Sequence, residues 1–293
     1  MASPGRESGG FRGKRQSAAS AKKSRARGET TTQSRFDKTW IFLVTLVLLV
    51  AAAYWNSLES SFHLDDRVML ADPYVTGPGF GWKILRPIQT RPLTYLTFHW
   101  NYLAGGLDPE GYHWVNILIH AGNVVLVFFV ATRLLPRLAA FLAAALFAVH
   151  PLQTESVTYI FARATSLETF FALLTILLYL HERYAWSACA FAISLLAKEE
   201  ALALPIFLML YDLVVRRRKP QFAYSVVLLG LVTLASARLL YALAVRPDPR
   251  VGWVQGMTPL NYALTQCRVV WRYLGLFVLP AVLNIDHHVA PSV

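Results

Sequence analysis

Two adjacent aspartates, Asp65 and Asp66, form the segment with the clearest potential for chemistry. They lie in the hexapeptide Phe62 to Arg67, a few residues after a long apolar stretch. Carboxylates beside hydrocarbon are costly unless they meet water or a partner. The pair can supply a catalytic base or bind a metal ion. It can equally form a solvated, capped turn in which Arg67 is the counter-ion.

A second polar segment runs from His150 to Arg163. If Pro151 begins a helix, Glu155, Tyr159 and Arg163 fall four residues apart on one face. That face would form the wall of a substrate cavity in which Arg163 binds an anionic group. The alternative, which the residues leave equally open, is a structural network of Glu155 and Arg163, with His150 capping the preceding span.

Basic residues suggest a third chemistry, the binding of phosphate. Lys198 stands beside Glu199 and Glu200 between two short apolar segments. A lysine that snorkels to the membrane surface is the default interpretation there. Further arginines occur in segments that we predict on the same side of the membrane: Arg91, Arg246, Arg250, Arg268 and Arg272. Arginine and lysine clustered at a membrane boundary suit a phosphate or pyrophosphate attached to a lipid.

The composition predicts an all-α polytopic membrane protein. Hydrophobic residues make up 55% of the 293 residues and charged residues only 15%, which excludes an ordinary soluble domain. The net charge of +11 is concentrated at the start, because ten of the 28 Lys and Arg residues lie within residues 1–38. We expect residues 1–38 to be a disordered, basic cytoplasmic tail rather than an arm that binds nucleic acid.

Apolar segments predict seven membrane spans and leave an eighth open. The seven are approximately 40–55, 112–135, 138–149, 165–180, 184–197, 201–215 and 222–245. The fourth would begin at a capping box, Thr165 to Glu168. In a large first external loop, Pro92 to Leu103 predicts a short interfacial helix. Residues 259–282 are apolar enough to span, but Arg268 and Arg272 near their middle favour an interfacial or site-lining helix.

The distribution of charge predicts the orientation. With the tail in the cytoplasm, the even-numbered connections carry Arg133 and Arg137, then Arg183, then the run Arg216 to Lys219. This is the pattern that the positive-inside rule requires. The odd-numbered connections then face the outside or the lumen. They contain all three acidic or mixed-charge segments described above, so we predict a single polar site on that face.

Together these segments resemble the membrane half of the transmembrane and tetratricopeptide-repeat O-mannosyltransferases and their bacterial relatives. The resemblance covers about residues 36–290. It rests on Phe62 to Arg67, Arg91 to Thr94, Gly111 to Asn116, His150 to Val157, Arg163, Ala197 to Glu199, Thr265-Gln266 and Asn284 to His287.

The resemblance implies that residues 39–293 are part of a C-type glycosyltransferase membrane domain. Such enzymes transfer a sugar from a polyprenyl-phosphate carrier to an acceptor hydroxyl on a protein or glycan. The catalytic role would fall to Asp65 or Asp66, as a base or as the group that positions the acceptor and a metal ion, and a divalent metal is left open. The residues that would bind substrate or donor phosphate are Arg91, His150, Glu155, Arg163, Lys198, Glu199, Arg268 and Arg272. In a bacterium the protein would lie in the inner membrane.

The sequence also departs from the family pattern. Members of the family have more spans, followed by soluble repeats, whereas no such repeat is visible in this sequence. We therefore expect a C-terminally incomplete chain, or a second chain that supplies the remaining helices and repeats. The alternative functions are a non-catalytic membrane scaffold, a lipid-binding subunit, or an inactive gene fragment.

Overall fold

A computed structural model describes residues 39–77, 90–245, 258–281 and 283, so the predicted tail lies outside the described residues. The chain divides into two compact units, 1–45 and 46–293, and residues 39–45 are the described part of the first. The helices are α1 (Thr39–Glu59), α2 (Asp65–Leu70), α3 (Pro73–Thr76), α4 (Pro92–Gly105), α5 (Pro109–Ala131), α6 (Arg137–Val149), α7 (Gln153–Thr158), α8 (Arg163–Leu180), α9 (Tyr184–Ala197), α10 (Leu204–Leu210), α11 (Phe222–Val245) and α12 (Pro259–Val278). Short 3-10 helices cover Trp55–Glu59, Ile160–Ala162 and Glu199–Ala203, and Tyr211–Val215 is a π-helix.

Among the described residues, four helices are long and apolar enough to cross a membrane. They are α1, α5, α8 with its preceding 3-10 turn, and α11, and each has 21 to 24 residues. At about 1.5 Å per residue they reach or exceed the roughly 30 Å of a bilayer core. Many of their large apolar side chains are exposed, as lipid-facing surfaces require. The predicted class, an all-α polytopic membrane protein, is confirmed.

Three shorter apolar helices occupy the positions of the third, fifth and sixth predicted spans. These are α6 with 13 residues, α9 with 14, and α10 with its π-helical extension. One face of α6 consists of Ala140, Ala144 and Ala148, all fully buried and spaced four residues apart. Small residues at this spacing let two helices approach closely, and His120 of α5 lies 3.2 Å from the carbonyl oxygen of Ala148.

The long helices α5 and α8 also pack closely. A Cβ atom placed on Gly122 of α5 would lie only 2.7 Å from Cε2 of Phe170 in α8. No side chain larger than hydrogen fits there unless the phenylalanine ring moves. This contact holds together the two helices that carry the buried residues Asn116 and Arg163.

Basic residues of the even-numbered connections meet at one end of the helices. Arg133 contacts His181. The buried carboxylate of Asp212 accepts hydrogen bonds from the Tyr179 hydroxyl (2.5 Å) and from Nε of Arg218 (3.2 Å). The connections between α5 and α6, between α8 and α9, and after α10 are therefore adjacent in space, as the alternation of spans predicted.

Candidate active site

At the opposite end of the helices, Asp66 ties two distant loops together. Its side chain is only 1% exposed. Oδ2 accepts a hydrogen bond from the backbone N–H of His63 (2.9 Å), and Oδ1 accepts one from the backbone N–H of Phe161 (2.8 Å). Burial raises the pKa of the Asp66 carboxyl above its ordinary value of 3.8, although the two N–H groups act in the opposite direction. The beginning of α2 is thereby held against the segment that precedes α8.

Asp65 differs from its neighbour because it is exposed. Its backbone N–H donates a hydrogen bond to the hydroxyl of Tyr159 (3.1 Å). Burial raises the pKa of this hydroxyl to about 12, so the tyrosine is neutral at physiological pH. Leu64, the residue before Asp65, has a φ of 44°, a value that non-glycine residues rarely adopt. A strained but firmly held turn therefore presents the Asp65 carboxylate at the surface.

Arg163, the first residue of α8, is completely buried. Its Nε donates to Oδ1 of Asn116 (2.7 Å), and its Nη2 donates to the carbonyl oxygen of Tyr112 (2.9 Å). Its Nη1 donates to Oδ1 of Asn101 (2.6 Å). The guanidinium carbon also lies 4.5 Å from the centre of the Phe98 ring, within the range of a cation–π contact. The guanidinium is thus directed at α4 and α5, and protein groups occupy its donors.

Asn116 of α5 extends this network to the loop in front of α8. Its Nδ2 donates to the carbonyl oxygen of Val157 (3.2 Å) and lies within 3.5 Å of those of Tyr159 and Ile160. The predicted single helical face of Glu155, Tyr159 and Arg163 is wrong, because the backbone at Tyr159 is extended and ends α7. Glu155 is exposed, and the structure pairs it with no cation among the residues that it describes.

A second polar cluster lies after α9. The Arg91 guanidinium holds the Glu199 carboxylate with two hydrogen bonds, Nη2 to Oε1 (2.6 Å) and Nε to Oε2 (3.1 Å). Burial alone would raise the pKa of Glu199, but the hydrogen bonds and charge of Arg91 outweigh it and hold the pKa below 4.5. Next to it, Lys198 Nζ lies 2.7 Å from Glu200 Oε1. The three consecutive residues Lys198, Glu199 and Glu200 therefore take part in two ion pairs, one between Lys198 and Glu200 and one between Glu199 and the distant Arg91.

The predicted start of the fourth span, a capping box at Thr165, is wrong, and a contact of Lys198 helps to explain why. Its Nζ donates to the hydroxyl of Thr165 (2.8 Å). The capping box would have used this hydroxyl to cap a helix, but α8 already begins at Arg163 and contains both Thr165 and Glu168. Tertiary contacts of Arg163 and Lys198, rather than a local cap, define this helix end.

The helix α4 connects the two clusters. Arg91, just before its first turn, contacts Glu199, and one turn later Thr94 donates to the carbonyl oxygen of Ala197 (2.9 Å). Two turns further, Asn101 accepts from Arg163. These three residues recur at intervals of one to two helical turns and so lie on the same side of the helix. The predicted short helix is therefore confirmed, and it joins Arg163 to the loop of Lys198, Glu199 and Glu200.

The remaining predicted residues lie around α12. His150 Nε2 is 3.1 Å from the carbonyl oxygen of Phe277, and the two rings stack with centres 5.6 Å apart. This contact brings α12 to the loop between α6 and α7. Arg268 and Arg272 lie one turn apart on α12, and both are exposed. The predicted contributions of Arg246 and Arg250 lie outside the described residues.

A cavity of about 450 Å³ lies between α9 and α11. Nine Ala and Leu side chains line it: Ala192, Leu195, Leu196, Leu202, Leu231, Leu234, Ala235, Ala237 and Leu239. Its polar lining residues are Thr90, Glu199 and Arg238. Arg238 is not among the residues predicted from the sequence. The signal was nevertheless present, because a lone arginine in a 24-residue apolar helix marks a functional position by default.

The described residues of the site do not form a metal-binding cluster. Within residues 39–77, 90–245, 258–281 and 283, no three His, Cys, Asp or Glu side chains lie close enough to share a metal ion. Asp65 and Asp66 do not face one another as a ligand pair, since Asp66 points to backbone N–H groups.

These features define a polytopic helical membrane protein in which polar side chains join the loops at one end of the helices. Comparison with known proteins identifies its relatives. The chain is 32% identical to the protein O-mannosyl-transferase Tmtc2 of Drosophila melanogaster over 89% of its own length and 30% of that protein. It is 38% identical to mouse TMTC3 over 46% of this chain and 16% of the relative. It is also 43% identical to Drosophila Tmtc1 over 40% of this chain and 15% of the relative.

The chain belongs to the TMTC-like family, as its motifs predicted. It matches no more than 30% of the length of any of these three relatives. No family model matches the chain, and no solved structure matches it.

Proposed function

We propose that this chain forms the membrane domain of a glycosyltransferase that moves a sugar from a polyprenyl-phosphate carrier to a hydroxyl of a protein. The names of the relatives, protein O-mannosyl-transferases, support both the reaction and the acceptor. They also make mannose the first sugar to test. The observation that carries the proposal is the unequal pair Asp65 and Asp66, one exposed and the other bound to two loops.

In this mechanism Asp65 is the base. Its carboxylate takes the proton of the acceptor hydroxyl, and the hydroxyl oxygen attacks the anomeric carbon of the sugar. The bond between that carbon and the phosphate oxygen breaks, and the lipid phosphate leaves with the electron pair. Asp66 acts through position, since its hydrogen bonds to His63 and Phe161 fix the turn that carries Asp65.

The leaving phosphate needs cations nearby, because negative charge develops on it as the bond breaks. Lys198 and Arg91 are the best placed, since both lie in the loop cluster beside α4. Arg268 and Arg272 on α12 are further candidates, and the contact of His150 with Phe277 brings α12 to the same loops. Glu155 is exposed in that region and available to an acceptor. Arg163 is assigned a structural role instead, because its donors are occupied by α4 and α5.

We further propose that the site faces the outside or the lumen. The opposite end of the helices carries Arg133, Arg183 and the basic run beginning at Arg216, which favours a cytoplasmic position for that end. Lipid-linked sugars would then reach the site within the outer leaflet. A cysteine-accessibility experiment on Asp108→Cys and Arg217→Cys, one at each end, tests this orientation in sealed vesicles.

The reaction is tested with membranes that contain the full chain. Radiolabelled polyprenyl-phosphate mannose should label a protein acceptor, whereas a sugar nucleotide should give no label when lipid-phosphate sugar synthesis is absent. The Asp65→Asn/Asp66→Asn double variant should lose transfer. The Asp108→Asn variant is the matched control, because Asp108 caps α5 and asparagine caps equally well. Undiminished transfer by the double variant would refute the proposal.

A further inference from the structure

The cavity between α9 and α11 is lined by two charged side chains that have no role in the transfer mechanism proposed above. Arg238 of α11 and Glu199 both line it, and its other walls are almost entirely Ala and Leu. Its volume, about 450 Å³, lies within the usual range of roughly 300–1,000 Å³ for small-molecule sites. The residues of α9 that line the cavity are Ala192, Leu195 and Leu196, in the last two turns of the helix. The cavity therefore lies near the loop that follows α9 and contains Lys198 and Glu199.

Glu199 occupies the position that an anionic ligand would take. Its carboxylate accepts two parallel hydrogen bonds from Arg91, at 2.6 and 3.1 Å. Phosphate binds arginine in this same two-pronged geometry. Thr90, the neighbour of Arg91, lines the cavity as well. A phosphate that enters the cavity therefore meets Glu199 and Arg238 in its wall. Arg91 does not line the cavity itself, but its guanidinium holds the Glu199 carboxylate and becomes available when that carboxylate moves away.

We propose that this cavity binds the phosphate and first isoprene units of the polyprenyl carrier, and that the phosphate displaces Glu199 from Arg91. Glu199 is then an exchangeable occupant of the phosphate site and not a phosphate ligand. Arg238 is the second cation, and the Ala and Leu walls hold a single apolar chain. The inference rests on the proposed function, since it assigns the carrier of that reaction to a place in the fold.

The proposal predicts opposite effects for two charge-removing substitutions. Glu199→Gln removes the charged competitor and should tighten binding of the lipid phosphate by about tenfold. Arg238→Gln should weaken it by about tenfold for the loss of one charged contact. Neither substitution should change binding of the uncharged alcohol with the same chain. A general effect of charge would instead act on both neighbouring glutamates alike, so Glu200→Gln is the matched control.

The test is equilibrium binding of geranylgeranyl phosphate to the purified full chain in lipid nanodiscs. Geranylgeraniol, inorganic phosphate and phosphatidic acid serve as competitors, and thermal unfolding verifies that each variant is folded. We expect geranylgeranyl phosphate to bind most tightly, with a larger gain for Glu199→Gln than for Glu200→Gln. Ala235→Phe, which fills the cavity, should weaken binding of both the phosphate and the alcohol. If Arg238→Gln does not fold, Arg238→Lys keeps the charge and should give a smaller loss.

Three outcomes would overturn the inference. The first is equal or weaker binding in Glu199→Gln, and the second is unchanged binding when Arg238 is replaced. The third is competition by inorganic phosphate or phosphatidic acid as strong as that of geranylgeranyl phosphate, which would assign the site to another source of phosphate. Sugar transfer is measured separately. Absence of transfer together with the expected binding pattern would refute the proposed function and leave the lipid site in place.

Discussion

The side chain of Asp66 accepts a hydrogen bond from the backbone N–H of Phe161, 95 residues further along the chain, at 2.8 Å. This bond joins the first loop to the segment before α8 and leaves the adjacent Asp65 exposed. Two consecutive aspartates thus have different surroundings.

Replacement of Asp66 by alanine should lower stability, because the backbone N–H groups of His63 and Phe161 lose their acceptor. An unsatisfied buried donor costs about 1–3 kcal/mol. The measurement is reversible unfolding in detergent micelles. Asp65→Ala is the control and should change the free energy of unfolding by about 0.5 kcal/mol or less, as exposed positions usually do. Equal effects of the two substitutions would contradict the structure.

Arg163→Met should be among the most destabilising substitutions in the chain. It leaves Asn116, Asn101 and the carbonyl oxygen of Tyr112 without their buried donor. Hydrogen bonds to a charged group contribute about 1.5–3 kcal/mol each, so we expect a loss of about 3 kcal/mol or more. Arg163→Lys should restore little of the lost stability, because an ammonium group cannot donate in the several fixed directions of the planar guanidinium. Arg67→Met, at an exposed arginine, should have almost no effect on the same unfolding curve.

Gly122 and Gly230 provide a matched pair of glycine substitutions in membrane helices. Gly122→Ala would place a Cβ atom 2.7 Å from the Phe170 ring, whereas a Cβ atom on Gly230 meets nothing within 4 Å. We expect Gly122→Ala to destabilise the protein by about 1–3 kcal/mol through overpacking of α5 against α8. Gly230→Ala should be neutral or stabilise by up to about 1 kcal/mol. The opposite ranking of melting temperatures would disprove the packing of α5 on α8.

The ion pair of Glu199 with Arg91 predicts a dependence of stability on pH. Because the pKa of folded Glu199 lies below 4.5, its ionised form is favoured by folding. Its contribution is fully present above pH 4.5, the ordinary value, and is lost as pH falls through the lower folded pKa. The difference in melting temperature between wild type and Glu199→Gln should therefore be constant at neutral pH and shrink in acid. If the difference in melting temperature instead increased as the pH is lowered, the ion pair of Glu199 with Arg91 would be contradicted.

Much of the fold was predictable from apolar runs alone. The bounds of α9 and α11, Tyr184–Ala197 and Phe222–Val245, agree with the predicted spans because charged residues or proline flank each run. The start of α8 was not predictable in the same way. A local signal, the capping box at Thr165, competes there with the tertiary contacts of Arg163, and the tertiary contacts prevail.

The sequence predicts which loops lie together at the candidate site, but it does not predict the role of each residue in them. The residue types, together with the alternating direction of successive spans, predicted that Asp65, Arg91 and Lys198 lie at the same end of the helices. The distinction between Asp65 and Asp66 depends on a partner 95 residues away, which no local pattern encodes. Ligand roles for Glu199 and Arg163 remain predictions. The side chains that these two residues contact in the structure, Arg91 and Asn116, are distant in the chain, so no local pattern could indicate them.

The most direct test of the catalytic proposal compares Asp65→Asn with Asp66→Asn in one transfer assay with lipid-linked sugar. If Asp65 is the base, Asp65→Asn should reduce kcat by about 10²–10⁴-fold and leave the melting temperature unchanged. Asp66→Asn should lower the melting temperature, and its transfer should recover in part at reduced temperature. Transfer by Asp65→Asn at the wild-type rate, in protein of wild-type stability, would contradict the account.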